Sequence, residues 1–167
     1  MYTSTMRSPY LANPRRLSDV LAAIQVMGTY EWSSSEEPDW QKRLGDPVSA
    51  DNWKTIFTEH PEFFRISGKW NSLCWRHAYH RNFSIPQRRE LTPAEIADLS
   101  DEEKEKLTRK PLTPEQVEAL MKTAIELHNR SIAHAQENRW LSPLLFALLG
   151  VILSGAFQVA VAVLKPQ

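Results

Sequence analysis

Phe63-Phe64-Arg65-Ile66-Ser67-Gly68-Lys69-Trp70-Asn71-Ser72-Leu73-Cys74-Trp75-Arg76-His77-Ala78-Tyr79 is rich in aromatic and branched side chains on both sides of a polar bend. It reads as a β-hairpin: a strand over 63–67, a turn at 68–71 with Gly68 and Asn71 at the bend, and a second strand over 72–79. A strand repeats every two residues, so Leu73, Trp75, His77 and Tyr79 are expected to share one face. Upstream, His60-Pro61 closes a helix, because proline disfavours the helical conformation in its predecessor. That helix is expected to be capped by Ser49 and to carry Trp53, Ile56 and Phe57 on one side. Gly45-Asp46-Pro47 ends a shorter helix over 39–44, and the Ser- and Glu-rich segment 32–38 reads as a loop. Leu17, Val20, Leu21, Ile24 and Met27 recur at helical spacing, which predicts a first helix over 17–30 behind an N-terminal extension of residues 1–16.

Three short helices followed by a hairpin, within 17–84, resemble a winged-helix domain, the α+β elaboration of the helix-turn-helix. The phrase His60-Pro61-Glu62-Phe63-Phe64-Arg65-Ile66, leading toward Trp75-Arg76, is similar to the junction of third helix and wing in that superfamily. The resemblance implies that the third helix and the wing are the contact elements. DNA-reading members present Arg, Lys, Asn or Gln from that helix to base edges. Here the third helix offers Asn52 and Lys54 against Asp51 and Glu59, a poor recognition surface.

Downstream of the hairpin the composition shifts. Residues 85–112 are charged and read as a linker, with a short helix expected after Thr92-Pro93. Thr113-Pro114-Glu115-Gln116 is a helix start with a reciprocal capping box. It opens a juxtamembrane helix or stalk over 113–140, whose stripe of Val117, Leu120, Met121, Ala124, Leu127 and His128 packs on a second copy or folds back on the body. Residues 141–165 are expected to form one C-terminal transmembrane helix. From 144 to 164 no side chain is charged and only Ser154 and Gln158 are polar, against the roughly 20 apolar residues that span a hydrocarbon core. Its Leu, Ile, Val and Phe side chains each favour insertion by on the order of 0.3–0.6 kcal/mol. Arg130 and Arg139 precede the run and only Lys165 follows it, which places the N-terminal body on the cytoplasmic side of the bilayer, the inner membrane in a bacterium. Ala147, Gly150, Ser154 and Gln158 fall on one stripe of that helix, a face suited to self-association or to packing on another membrane protein.

Composition excludes several functions. Twenty basic and twenty acidic side chains cancel, so no whole-molecule charge draws the protein to polyanions. A lone cysteine, Cys74, rules out an internal disulfide, and the first sixteen residues lack the apolar core of a signal peptide. No phosphate-cradling glycine loop occurs. Cys74, His77 and His80 have metal-ligand chemistry, but on a strand His77 faces away from the other two. A Cys74–His77 nucleophile pair meets the same geometric obstacle. No enzyme, cofactor or metal is therefore expected.

What remains is a basic wing. Arg65, Lys69, Arg76, Arg81, Arg88 and Arg89 are set against Glu62, with Trp70 and Trp75 interleaved. Such a patch suits duplex phosphates, anionic lipid headgroups, or simple protection of a sheet edge. The expected function is a membrane-tethered adaptor or regulatory subunit, its winged-helix-like body in contact with a protein and its anchor in contact with itself. A membrane-bound DNA-binding regulator comes second, and a small membrane-perturbing effector third.

Overall fold

The computed structural model describes residues 8–136. Residues 1–128 form one compact unit and 129–167 a second. The anchor, 141–165, and its stripe of Ala147, Gly150, Ser154 and Gln158 lie outside the described residues, among which no helix is long and apolar enough to cross a membrane.

The first unit mixes helices with two small antiparallel sheets. In chain order it runs α1 (Arg16–Thr29), β1 (Ser34–Glu36), α2 (Glu37–Leu44), α3 (Trp53–Glu59), β2 (Phe64–Ser67), β3 (Trp70–Leu73), β4 (Phe83–Ser84), β5 (Arg89–Glu90), α4 (Pro93–Ala97), α5 (Asp101–Glu105) and β6 (Leu107–Thr108). A helix over 114–136, here α6, follows. The first sheet is ordered β1-β3-β2 and the second β5-β4-β6.

The core forms where the amphipathic faces meet. Val20, Ala23, Ile24 and Met27 of α1 are buried with Trp40 of α2, Trp53, Ile56 and Phe57 of α3, and Phe63, Phe64 and Leu73 of the hairpin. The two buried indoles find acceptors, as buried Trp N–H groups must: Trp40 donates to the Asn71 carbonyl (3.0 Å) and Trp53 to that of Gly45 (2.7 Å). Leu112, Val117 and Ala124 belong to the same core. Of the two arrangements expected for the stalk, α6 up to His128 thus adopts the second, folded back on the body. Gly28 is what admits it: a Cβ there would stand 3.0 Å from Val117 Cγ2, and the Gly28 carbonyl accepts from the Leu112 N–H at 2.8 Å. Thr113 and Gln116 form the expected reciprocal cap.

Several expectations are corrected. The hairpin turn holds two residues rather than four. Ser67 pairs with Trp70 around Gly68 (φ +61°) and Lys69, so only glycine at the first turn position needs the left-handed region. The second strand ends at Leu73, and Cys74–Ala78 form a 3-10 turn. Trp75, His77 and Tyr79 therefore do not share a strand face. An alternating pattern of aromatic and polar residues is compatible with either form, and the side chain of Arg76 decides between them.

Ser49 does not cap α3. Its N–H and hydroxyl bind the buried Asp19 carboxylate, and Asn52 is the cap, accepting from the Thr55 N–H at 2.9 Å. Within the predicted loop 32–38, Ser34–Glu36 pair with β3 as an edge strand, recruited by tertiary pairing against their own weak β-propensity. The charged segment 85–112 is not a bare linker. It contributes β5, α4, α5 and β6, with Thr92–Glu95 and Ser100–Glu103 capping boxes, and buries Leu91, Leu107 and Thr108. Thr108 Oγ1 accepts from the Ser33 N–H (3.0 Å) and donates to Ser33 Oγ (3.2 Å), tying the second sheet to the entry of β1.

Candidate functional site

The wing consists of β2, the Gly68-Lys69 turn and β3, the last being the central strand of the first sheet. Trp70 at its tip is 47 % exposed and Trp75, on the following 3-10 turn, 38 % exposed. Large aromatics left in water are the informative departure from the usual inside-outside pattern. Lys69 Nζ binds Glu36 of β1 at 2.6 Å and stands 5.3 Å from the Trp70 ring centre.

The six cations expected to form one basic surface are dispersed by the fold. Arg89 is paired with Glu95 (2.6 Å). That bond, with those from Thr92, draws the Glu95 carboxyl down to about 2. Arg81 donates to the carbonyls of Leu107 (2.7 Å) and Glu105 (2.8 Å). Lys69 is neutralised by Glu36. Arg76 is wholly buried. Of these six, only Arg65 and Arg88 lack both a carboxylate and a carbonyl partner among the described residues. The wing thus carries Trp70 at its tip beside the Lys69–Glu36 pair and one unpaired cation, Arg65, along its length, rather than six adjacent free charges.

Arg76 is the residue that sequence reasoning misplaced most. Its guanidinium donates to six backbone carbonyls: Met27, Tyr30, Glu31 and Trp32 at the end of α1 and beyond, and Arg109 and Lys110 across the gap. The distances to Tyr30 and Trp32 are 2.6 and 3.0 Å. A buried charge without a carboxylate is tolerable here because the carbonyls at a helix C-terminus carry partial negative charge. Burial, and after it the nearby Arg109, lower the Arg76 pKa to about 10, still far enough above neutrality to keep it charged. The effect is a clip between α1 and the strand-to-helix connection at 109–110. The only sequence signal for it was that Arg76 is the one arginine, with no Lys, Asp or Glu, between Trp70 and His80.

The 3-10 turn also creates a pair that the strand reading could not. Ser72 Oγ lies 2.8 Å from His77 Nε2. Burial, followed by Arg109 and Arg65, lowers the His77 pKa. A serine nucleophile needs a base that becomes a stabilised imidazolium, usually held by a carboxylate. Cationic neighbours do the reverse, so this is a structural hydrogen bond. Burial raises the Cys74 thiol pKa, and its Sγ faces the Pro61 carbonyl at 3.7 Å. Among the described residues no three of His, Cys, Asp and Glu converge as a metal site.

A second polar cluster lies beneath the wing. His60 caps α3, is fully buried, and places Nδ1 3.0 Å from Glu62 Oε1. Tyr10 donates to the same carboxylate at 3.4 Å and packs its ring at a tilt against His60 (4.5 Å) and edge-on against His128 of α6 (5.7 Å). Burial alone would raise the Glu62 pKa, but the bonds from His60, its own backbone and Tyr10 outweigh it and the net shift is downward. Burial, and then Glu62, raise the Tyr10 phenol. This network joins the N-terminal residues, the α3–β2 junction and α6.

No family model, curated protein or solved structure matches this chain.

Proposed function

We propose that the protein is a membrane-tethered adaptor or regulatory subunit, in which a winged-helix-like body makes a protein contact and a C-terminal anchor self-associates in the bilayer. The observation that carries the protein contact is the wing, where Trp70 and Trp75 are exposed while the surrounding cations, Arg65 excepted, are paired or buried. Exposed aromatic side chains with few free charges are the composition of a protein-contact core. The order α1-β1-α2-α3-β2-β3 with sheet order β1-β3-β2 supports a winged-helix assignment. The third helix supports a partner other than DNA: Asn52 is consumed as its cap, leaving Lys54, Thr55 and Thr58 facing outward beside Glu59. The apolar run 144–164 supports the anchor.

The test is affinity purification of the full-length protein from solubilised membranes, wild type against Trp70→Ala/Trp75→Ala. A stoichiometric protein partner lost from the double variant is expected. Recovery of the same partner in equal yield by the double variant counts against the wing as its site. Salt-dependent duplex binding that disappears in Arg65→Ala would replace this reading with the DNA-binding one.

A further inference from the structure

Two adjoining open clefts of about 310 and 450 Å³, the larger shallow, lie where the end of α1 meets the loop between β4 and β5. Both are lined by Thr29, Glu31 and Arg88. Val26 and Tyr30 complete the wall of the larger, and Phe83 and Ile85 that of the smaller. The two charged groups do not pair with each other, and among the described residues neither belongs to any ion pair.

Arg88 is held at φ +52°, and it is the one described residue other than glycine with positive φ. It follows a turn closed by its own N–H on the Ile85 carbonyl (3.3 Å). Glycine would occupy that position without strain. Arg88 is exposed at the edge of both clefts, and a strained backbone at such a position is the kind of outlier from which a functional role is inferred.

The backbone on either side of the smaller cleft is tied together by Arg76. Arg76 holds the carbonyls of Tyr30 and Glu31 on one side and those of Arg109 and Lys110, next to the lining residue Pro111, on the other. The two sides of the smaller cleft are therefore clamped by one buried guanidinium. A preorganised wall reduces the ordering cost of binding.

We propose that this site binds a free α-amino acid with an apolar side chain, its carboxylate on Arg88, its ammonium on Glu31, and its side chain against Phe83 and Ile85. The two opposite, unpaired charges select the class. A simple anion would meet Glu31 and a simple cation would meet Arg88, whereas a zwitterion satisfies both with charge-assisted hydrogen bonds.

Isothermal titration of the full-length protein in detergent micelles with L-leucine tests this, with N-acetyl-L-leucine (no ammonium) and L-leucinamide (no carboxylate) as probes of each charge. Saturable leucine binding is expected, at least about tenfold tighter than either analogue, with Arg88→Gly and Glu31→Gln each weakening it by about tenfold or more. Arg88→Gly relieves the backbone, so its melting temperature should equal or exceed that of the wild type, which separates lost binding from lost fold. Three results overturn the proposal: no heat from leucine, isoleucine or phenylalanine up to about 20 mM, equal binding by Arg88→Gly, or equal binding of an analogue that lacks one charge.

Discussion

Replacing Arg76 by Met keeps most of the side-chain volume and removes the charge and all its donors. Six carbonyls then lose a partner, and a buried polar group left without one costs about 1–3 kcal/mol. The sum is not additive. Carbonyls have a second lone pair, water enters part of the vacated site, and the desolvation of a buried cation is no longer incurred. A net loss of about 4 kcal/mol is the reasoned magnitude, at the upper end for single substitutions. Arg76→Lys retains three donors and a charge but not the planar fork, and should cost about half as much. Urea titration of the full-length protein in micelles, followed by far-UV circular dichroism, measures both. Amide exchange should show early opening at 30–32 and 107–110, where the clip holds the two segments together. If Arg76→Met lies within about 0.5 kcal/mol of the wild type, the carbonyl cluster contributes nothing net and the clip argument is wrong.

Gly28→Ala gains up to about 1 kcal/mol of helix propensity but drives a methyl to 3.0 Å from Val117 Cγ2. Overpacking typically costs about 1–3 kcal/mol, so a net loss is expected, with Val117→Ala partly restoring the double variant; a more stable Gly28→Ala would show that α6 is not closely seated. The lowered Glu62 pKa makes its contribution to stability present above the unfolded carboxylate pKa and lost as pH falls through the folded value. With the side chain 35 % exposed, screening keeps this below about 1 kcal/mol, and Glu62→Gln should flatten the acid limb of a stability–pH curve, an unchanged limb counting against the His60–Glu62–Tyr10 network. Alkaline carbonate should leave the full-length protein with the membrane and release a variant lacking 144–164; release of both would argue that the apolar run does not span the bilayer.

Much of the helical body was legible in the sequence because its signals are local. The 3.6-residue spacing of Val20, Ile24 and Met27, the stop at His60-Pro61, the short helix after Thr92-Pro93 and the capping box at Thr113 each involve residues within a turn or two of one another. Elements that exist by pairing were not legible. Ser34–Glu36 are a strand only because Asn71 and its neighbours are beside them, and β4, β5 and β6 are two-residue strands with no periodicity to detect.

The candidate surface divides in the same way. The sequence by itself determined that this region combines arginine with tryptophan, that the overall charge is balanced, and that an apolar run of spanning length lies near the C-terminus, since these depend on composition and order alone. Only the tertiary structure decided which cations reach solvent. Glu36 and Glu95 come to Lys69 and Arg89 from other elements, and carbonyls between 33 and 49 residues away in sequence draw Arg76 inside. A charge is a property of a residue, but whether it remains free is set by what the fold places within hydrogen-bonding distance.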